Sequence, residues 1–260
     1  MKFVDLEKKL QNLADLNYAE AWDNSGVQVI KKDSEIKKVL IALDCTSEVI
    51  DEAISFGADL ILTHHPLIFS PLKKITSDDY LTGRIYKLIE NRIGLYSMHT
   101  NFDVCCMRNL LDERVGIRDI EPLERSEVDS NEGIGSVGNL EREITLKELS
   151  QKVMEKFELS SVKFFGDEGT LVRRVGVLGG SGKREIDLAV KNGCDVYITG
   201  DIDHHSGIDA VEKGICVIDA GHYGLEHVFT EYMYDFFKEN LKEIEVRVES
   251  KKEPFSVYTK

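Results

Sequence analysis

The sequence has no long apolar run and little positive charge. No stretch of 18 apolar residues occurs among the 260 positions, so no membrane-spanning helix is expected. The opening MKFVDLEKKL is amphipathic, and we do not expect it to be a signal peptide. Only 33 Lys and Arg stand against 47 Asp and Glu, which gives a net charge of -14. This acidic balance argues against binding to a nucleic-acid backbone as the main role.

Cysteine is also scarce, and its spacing excludes the common disulfide and zinc-finger patterns. The cysteines are Cys45, Cys105, Cys106, Cys194 and Cys216, with no CxxC pair among them. An odd, scattered set is typical of a reducing cytosol, where most thiols are small core residues, so we expect a cytoplasmic protein. A metal or redox role for the adjacent Cys105 and Cys106 is kept as an alternative.

Two stretches of the chain resemble each other. Residues 36–63 and 172–199 align without a gap at an offset of 136, with identities that include Asp59/Asp195 and Thr63/Thr199. Both have the pattern of a strand, an amphipathic helix, a glycine at the helix end and a second strand. A unit of this length predicts two parallel strands joined by a right-handed crossover.

The repeat predicts an α/β fold made of two related halves. We place the first half at residues 1–125 and the second at 126–260, with a C-terminal segment that can pack back on the first half. Residues 118–143 are rich in Glu, Ser and Gly, and they are expected to form a linker or surface loop with a small hairpin. Thr145 and Glu148 then have the spacing of a capping box that begins a helix.

Polar residues collect where the predicted strands end, and six of the seven histidines are among them. ADLILTHHPLIF (58–69) ends its apolar run in His64 and His65, and HTNFD supplies His99 and Asp103. Neighbouring strand residues point to opposite faces, but at a strand end the pair can reach two ions lying side by side. The simpler alternative is a pair of hydrogen-bonded histidines that caps the sheet.

The segment GHYGLEHVFTEYMYDFFKEN (221–240) predicts an amphipathic helix. His222 and Glu226 lie four residues apart and off its apolar stripe, so the pair can hold one cation from two sides, or be an ordinary surface pair. His204 and His205 are expected to line a cleft for substrate or proton transfer, or to lie in a polar loop. GVLGGSGKRE fails the P-loop pattern at two positions.

Nitrogen and oxygen donors without a thiolate suit Zn, Mn, Fe or Ni rather than a cysteine-based structural zinc. Five protein ligands for two ions leave open positions, as a catalytic site requires. The sequence therefore predicts a water-activating dinuclear centre at the seam of the two halves. The predicted ligands are His64, His65, Asp103, His222 and Glu226.

Several motifs, in the same order, resemble the family of GTP cyclohydrolase 1 type 2 homologues, also called NIF-three-like proteins. They are AEAWDNSGVQV, ADLILTHHPLIF, HTNFD, GSG (180–182), YITGD and DAGHYGLEH. The resemblance covers nearly the whole chain and matches the short form of the family. It implies two α/β halves, two divalent ions per chain between them, and a homohexamer built as a trimer of dimers.

The resemblance also implies a role for each ligand. His65 and Asp103 would bind one ion, His64 and His222 the other, and Glu226 would bridge them or contact both. By the same resemblance, residues that surround the ligands or face the cavity are His99, Asp201 and His205.

These residues predict a metal-dependent hydrolase that acts through a metal-activated water on a nucleotide-like substrate, GTP included. His99 and His205 are the candidate catalytic residues, as proton shuttles. The alternative is a metal-carrying or regulatory oligomeric scaffold without turnover, since no substrate motif is recognisable. A nucleic-acid clamp would fit a ring-shaped assembly but conflicts with the charge of -14.

Overall fold

A computed structural model describes residues 1–250 and 253–258, and the following elements lie within this range. The strands are β1 (Gly26–Val29), β2 (Lys38–Ala42), β3 (Leu60–Thr63), β4 (Gly94–Ser97), β5 (Arg118–Arg125), β6 (Gly133–Thr145), β7 (Lys163–Phe165), β8 (Leu171–Ser181), β9 (Val196–Gly200), β10 (Cys216–Asp219) and β11 (Glu245–Val248). The α-helices are α1 (Phe3–Leu13), α2 (Ser47–Phe56), α3 (Tyr80–Glu90), α4 (Thr100–Phe102), α5 (Arg108–Val115), α6 (Leu146–Lys156), α7 (Ile186–Lys191), α8 (His204–Glu212), α9 (His222–Glu226) and α10 (Val228–Asn240). None of the helices so described has the length and apolar character to cross a bilayer.

The chain folds into two compact units, Met1–Phe102 with Val228–Lys260, and Asp103–His227. The first unit therefore ends earlier than the boundary at 125/126 that the sequence suggested, and the chain returns to it at Val228. Strand pairing gives the physical reason. β11 forms a parallel pair with β2 in the first unit, whereas β5 pairs with β6 in the sheet of the second unit.

The first unit is built on a five-stranded sheet in the order β1-β4-β3-β2-β11. β2, β3 and β4 are parallel neighbours, and β1 lies antiparallel on β4. All four residues of β3 and of β4 are buried, as expected for the apolar strands of a parallel sheet. The apolar face of α2 packs with the central strands into one core cluster.

The second unit is built on a six-stranded sheet in the order β5-β6-β8-β9-β10-β7. β8, β9 and β10 are parallel neighbours in chain order, and β7 lies antiparallel on β10. This arrangement repeats β2, β3, β4 and their antiparallel neighbour β1. The prediction of two related α/β halves is therefore confirmed.

The repeat extends to single hydrogen bonds. The carboxylate of Asp59 accepts two consecutive backbone N–H groups beside β2, at 2.8 and 2.9 Å. Asp195 accepts two such groups of β8, at 2.9 and 2.8 Å. The aligned glycines Gly57 and Gly193 both have a φ of 70°, the left-handed conformation expected after a helix. Each aspartate thus holds the first strand of its strand–helix–strand repeat, β2 or β8, against the second, β3 or β9.

The segment 118–143 is not a linker, and that prediction is wrong. β5 and β6 form the predicted hairpin, but β6 also pairs with β8 and is largely buried. Its glycines and serines had suggested a loop, whereas small residues at these positions allow the strands to approach closely. The predicted capping box is confirmed, since the side chain of Thr145 accepts from Glu148 N and Glu148 accepts from Thr145 N.

Candidate metal centre

Three histidines of the first unit form a cluster at the ends of two adjacent strands. His64 and His65 follow β3 directly, and His99 lies two residues beyond β4. Because β3 and β4 are parallel neighbours, their carboxyl ends meet at one edge of the sheet. One ring nitrogen of each histidine lies within 4.8 Å of the other two. We call His64, His65 and His99 the histidine cluster.

The rings of His64 and His65 are each oriented by a hydrogen bond at Nδ1. His64 is fully buried, and its Nδ1 donates to the carbonyl oxygen of Met98 at 2.8 Å. The Nδ1 of His65 lies 2.9 Å from Oδ1 of Asp44, a residue just beyond the end of β2. A carbonyl or carboxylate oxygen can only accept, so the proton of each neutral ring lies on Nδ1. Nε2 is then the nitrogen that can bind an ion.

His99 is held in the same way by Asp23, whose side chain is fully buried. The Nδ1 of His99 lies 2.7 Å from Oδ1 of Asp23, and the other carboxylate oxygen accepts from the hydroxyls of Ser25 and Thr100, both at 2.6 Å. Burial alone would raise the pKa of Asp23, but the hydrogen bond from His99 and those from the two hydroxyls outweigh it and hold the pKa well below its ordinary value. Asp23 is therefore ionised and fixes the orientation of the ring.

A second set of donors, which we call the carboxylate cluster, lies in the second unit and consists of Asp103, His222 and Glu226. His222 and Glu226 lie one turn apart on α9, with His222 Nε2 3.0 Å from Glu226 Oε2. A carboxylate oxygen of Asp103 lies within 4.8 Å of one of Glu226. Asp103 begins a short π-helical turn, 103–107, a conformation frequent at functional sites. Glu226 is nearly fully buried.

Asp201 orients His222. Its Oδ2 lies 2.8 Å from His222 Nδ1, so this ring too directs Nε2 toward its neighbouring donor. Asp201 has a φ of 58°, an uncommon conformation for a residue with a side chain. The residue that the resemblance placed facing a cavity thus holds a predicted ligand.

The glycine-rich end of β8 makes room for Glu226. A Cβ on Gly180 would lie 2.6 Å from Oε1 of Glu226, closer than real Cβ contacts come, and Gly180 has a φ of 66°. A Cβ on the preceding Gly179 would lie 3.2 Å from Glu226 Cγ. The GG of GVLGGSGKRE therefore accommodates a buried carboxylate, which is a sufficient reason for both glycines.

The remaining candidates of the sequence do not join these clusters. His204 and His205 are exposed in the first turn of α8, where the carboxylate of Asp203 caps the helix. Among the residues that the structure describes, no group able to hold a metal includes His204, His205 or a cysteine. The role of His205 in proton transfer stays a prediction.

Sequence reasoning missed two of the orienting carboxylates, Asp23 and Asp44. Asp44 follows β2 just as His65 follows β3, so its position at the same sheet edge was a usable signal. Asp23 lies within the motif AEAWDNSGVQV, but it follows no strand and precedes β1. Only the fold brings it to His99, 76 residues further along the chain.

The donor chemistry of both clusters fits divalent transition metals. Neutral imidazoles and carboxylates suit Zn, Mn, Fe and Ni, and no thiolate takes part. The oriented rings have the hydrogen-bond partners that metal-binding histidines almost always show. His64 and Glu226 are buried, so an ion bound by them would be shielded from bulk water. Buried histidine and carboxylate groups of this chain could therefore hold metal.

Together, the two sheets and the donor groups define an α/β protein whose buried histidine and carboxylate groups could hold metal. The family model for Duf34/NIF3 (NGG1p interacting factor 3) matches residues 1–254, and the chain belongs to this family. This confirms the resemblance found in the sequence motifs.

Relatives and solved structures agree with this assignment. A Clostridium perfringens protein named GTP cyclohydrolase 1 type 2 homolog is 38% identical over 228 residues, which are 87% of each chain. The structure of a Staphylococcus aureus hypothetical protein matches at a TM-score of 0.89 and 29% identity, over 99% of both chains. That of a Bacillus cereus protein related to NIF3 also matches at 0.89 over 99% of both chains, and at 23% identity it supports the fold alone.

Proposed function

We propose that this protein is a metal-dependent hydrolase with a dinuclear centre. The proposed ligands are the five residues that the sequence selected, His64, His65, Asp103, His222 and Glu226. One observation supports the proposal above the others. Each histidine of this set has its Nδ1 on an oxygen acceptor, so in the neutral ring the proton lies on Nδ1 and the same nitrogen, Nε2, is the one able to bind an ion. A set of polar surface residues has no reason to share this arrangement.

Within this proposal, the protein side chains orient donors and move a proton. A divalent ion, when bound, supplies a water whose pKa is lowered toward about 7. His99, fixed by Asp23, presents Nε2 beside His64 and His65 and can accept a proton there. The substrate we propose is nucleotide-like, as the name of the Clostridium relative suggests for that protein.

The experiment that tests this proposal measures metal content. Untagged protein purified without chelator should hold about two divalent ions per chain by elemental analysis. His222→Ala and Glu226→Ala should each lose metal, whereas His204→Ala, which removes an exposed histidine outside both clusters, should not. Folded protein that takes up no Zn, Mn or Fe(II) would disprove the centre and favour the scaffold without turnover.

Activity is tested separately, because metal binding alone does not make an enzyme. Metal-loaded protein should hydrolyse GTP or a member of a panel of phosphoesters and cyclic amides, and His99→Ala should lower kcat while keeping the metal. A fully loaded protein without turnover on this panel would reject the hydrolase. The homohexamer that the resemblance implies is tested by analytical ultracentrifugation.

A further inference from the structure

Two exposed aromatic side chains lie beside the histidine cluster in the first unit. Trp22, the only tryptophan of the chain, is 59% exposed, and Phe69 is 55% exposed. Their ring centroids are 5.9 Å apart and their planes are tilted by 48°. The ring of Trp22 also lies nearly perpendicular to that of His99, with an interplanar angle of 77° and ring centroids 6.1 Å apart. We call Trp22 and Phe69 the aromatic shelf.

The shelf is held by hydrogen bonds on both sides. Asp23, next to Trp22, has the buried carboxylate that accepts from His99. The side chain of Asn24 donates to the carbonyl oxygen of Ile68 at 2.5 Å, and Ile68 N donates to the side chain of Gln28 at 3.0 Å. These bonds join β1 and the loop before it to the segment after β3. The backbone beside both rings is therefore held in place while the rings themselves stay exposed to solvent. Exposure of large apolar side chains is unfavourable, and packing of the core does not account for it.

The charges around the shelf favour a neutral ring over an anion. Residues 19–25 and 65–70 contain no lysine or arginine, and the first segment carries Glu20 and Asp23. Neither segment therefore offers a lysine or arginine side chain that could bind a phosphate group. A planar heterocycle, in contrast, gains from stacking on aromatic faces whatever its own substituents are.

We propose that the aromatic shelf binds the base of a purine nucleoside or nucleotide, with its ring stacked on the face of Trp22 and in contact with the tilted ring of Phe69. His99 contacts the shelf on one side and its own cluster on the other, with ring centroids 5.3 Å from His64 and 5.6 Å from His65. A base on the shelf therefore lies next to the histidine cluster. The assignment deepens the proposed function and depends on it for the reaction, but the binding itself needs neither metal nor turnover.

The experiment uses the fluorescence of Trp22 in the metal-free full-length protein. Guanosine and adenosine should quench it saturably, whereas ribose 5-phosphate and inorganic phosphate should not. Phe69→Ala keeps the reporter and should weaken binding about 5- to 100-fold, the range for loss of one stacking partner. Tyr80→Ala, which removes a 79% exposed aromatic residue of α3, should leave binding unchanged.

Calorimetry with guanosine extends the test to Trp22 itself. Trp22→Ala should lose binding and Trp22→Phe should keep most of it. Absence of saturable quenching, or equal affinity of Phe69→Ala and the wild type, would overturn the proposal. The proposal would also be overturned if the emission of Trp22 changed with protein concentration but not with guanosine, and if Phe69→Ala formed a smaller assembly than the wild type. Those two results would mean that a second copy of the chain covers the shelf.

Metal content measured on the same variants separates the two proposals. Trp22→Ala and Phe69→Ala should bind as much metal as the wild type, because neither side chain is a donor. If metal binds and guanosine does not, the shelf is wrong and the metal centre stands. If guanosine binds to a protein that takes up no metal, the shelf stands and the dinuclear hydrolase is wrong.

Discussion

Asp201 holds His222 with its Oδ2 2.8 Å from the ring Nδ1, at the position where the first unit has His65. In the first unit the preceding strand ends near Asp44, which holds His65, and the aligned residue of the second unit is Gly180. In the first unit, these two strand-end positions thus provide the orienting carboxylate of Asp44 and the candidate ligand His65. In the second unit, they provide the space at Gly180 for the carboxylate of Glu226 and the orienting carboxylate of Asp201. A duplicated strand–helix–strand unit has taken on different tasks at matching positions.

Removal of the orienting carboxylate should weaken metal binding without removing a ligand. Asp201→Asn can place an amide N–H against Nδ1 of His222, which favours the wrong tautomer. We expect metal affinity to fall about 10- to 100-fold, the usual effect of losing such a partner. Asp209→Asn, an exposed change on α8, is the matched control. Equal affinities in a competition titration would show that Asp201 does not orient the ring.

Asp23 should affect both the stability of the folded protein and the tautomer of His99. Its folded pKa is below the ordinary 3.8, so its stabilising contribution is complete above about pH 4 and is lost as the pH falls further. Asp23→Asn should cost about 1–3 kcal/mol at neutral pH, since buried partners lose a charged acceptor, and less in acid. Urea unfolding at several pH values measures this.

The control for that change is Asp33→Asn, an exposed aspartate of the same unit. Nitrogen NMR of the imidazoles provides a second measurement, in which His99 should be protonated at Nδ1 in the wild type and shift toward Nε2 in Asp23→Asn. An unchanged His99 spectrum would contradict a positioning role even if the variant were less stable.

The sequence predicted the parts that depend on local patterns. Apolar runs, helix periodicity and the repeat predicted the parallel strands, and histidines at strand ends predicted the candidate donors. It allowed for a C-terminal segment that packs back on the first half, but it did not place this return at Val228. It also did not predict the pairing of β6 with β8, because strand partners far apart in sequence leave no local pattern. Asp23 was missed for the same reason, since its partner His99 is brought to it only by the fold.

Gly180→Ala should disturb Glu226 beyond the effect of backbone strain. A left-handed conformation costs a non-glycine residue about 1–2 kcal/mol, and the new Cβ would also meet Oε1 of Glu226. Gly193→Ala is a close control, because its φ is 70° and no atom lies within 4 Å of the added Cβ. The difference between the two variants in free energy of unfolding and in metal affinity measures the contact. Identical effects would mean that Gly180 is needed for its backbone alone.

Glu249 should make the stability of the first unit depend on pH. Burial, together with the charges of Asp44 and Glu52, raises the pKa of Glu249 from the ordinary 4.5 to about 7, although its carboxylate accepts from Leu43 N at 2.6 Å. The folded state therefore holds a proton more tightly than the unfolded state. Stability from this group is greatest below about pH 4.5 and is lost as the pH rises through about 7.

Glu249→Gln tests this dependence, because glutamine keeps the acceptor for Leu43 N and cannot ionise. The variant should be more stable than the wild type at pH 8, and the advantage should shrink as the pH falls toward 4.5, where the wild-type carboxyl is protonated. Glu245→Gln, an exposed change on β11, should show no such trend. Thermal unfolding across this pH range measures both. The opposite result would be a wild-type protein that gains stability relative to Glu249→Gln as the pH rises. It would contradict the predicted pH dependence and show that the folded state favours the ionised carboxylate.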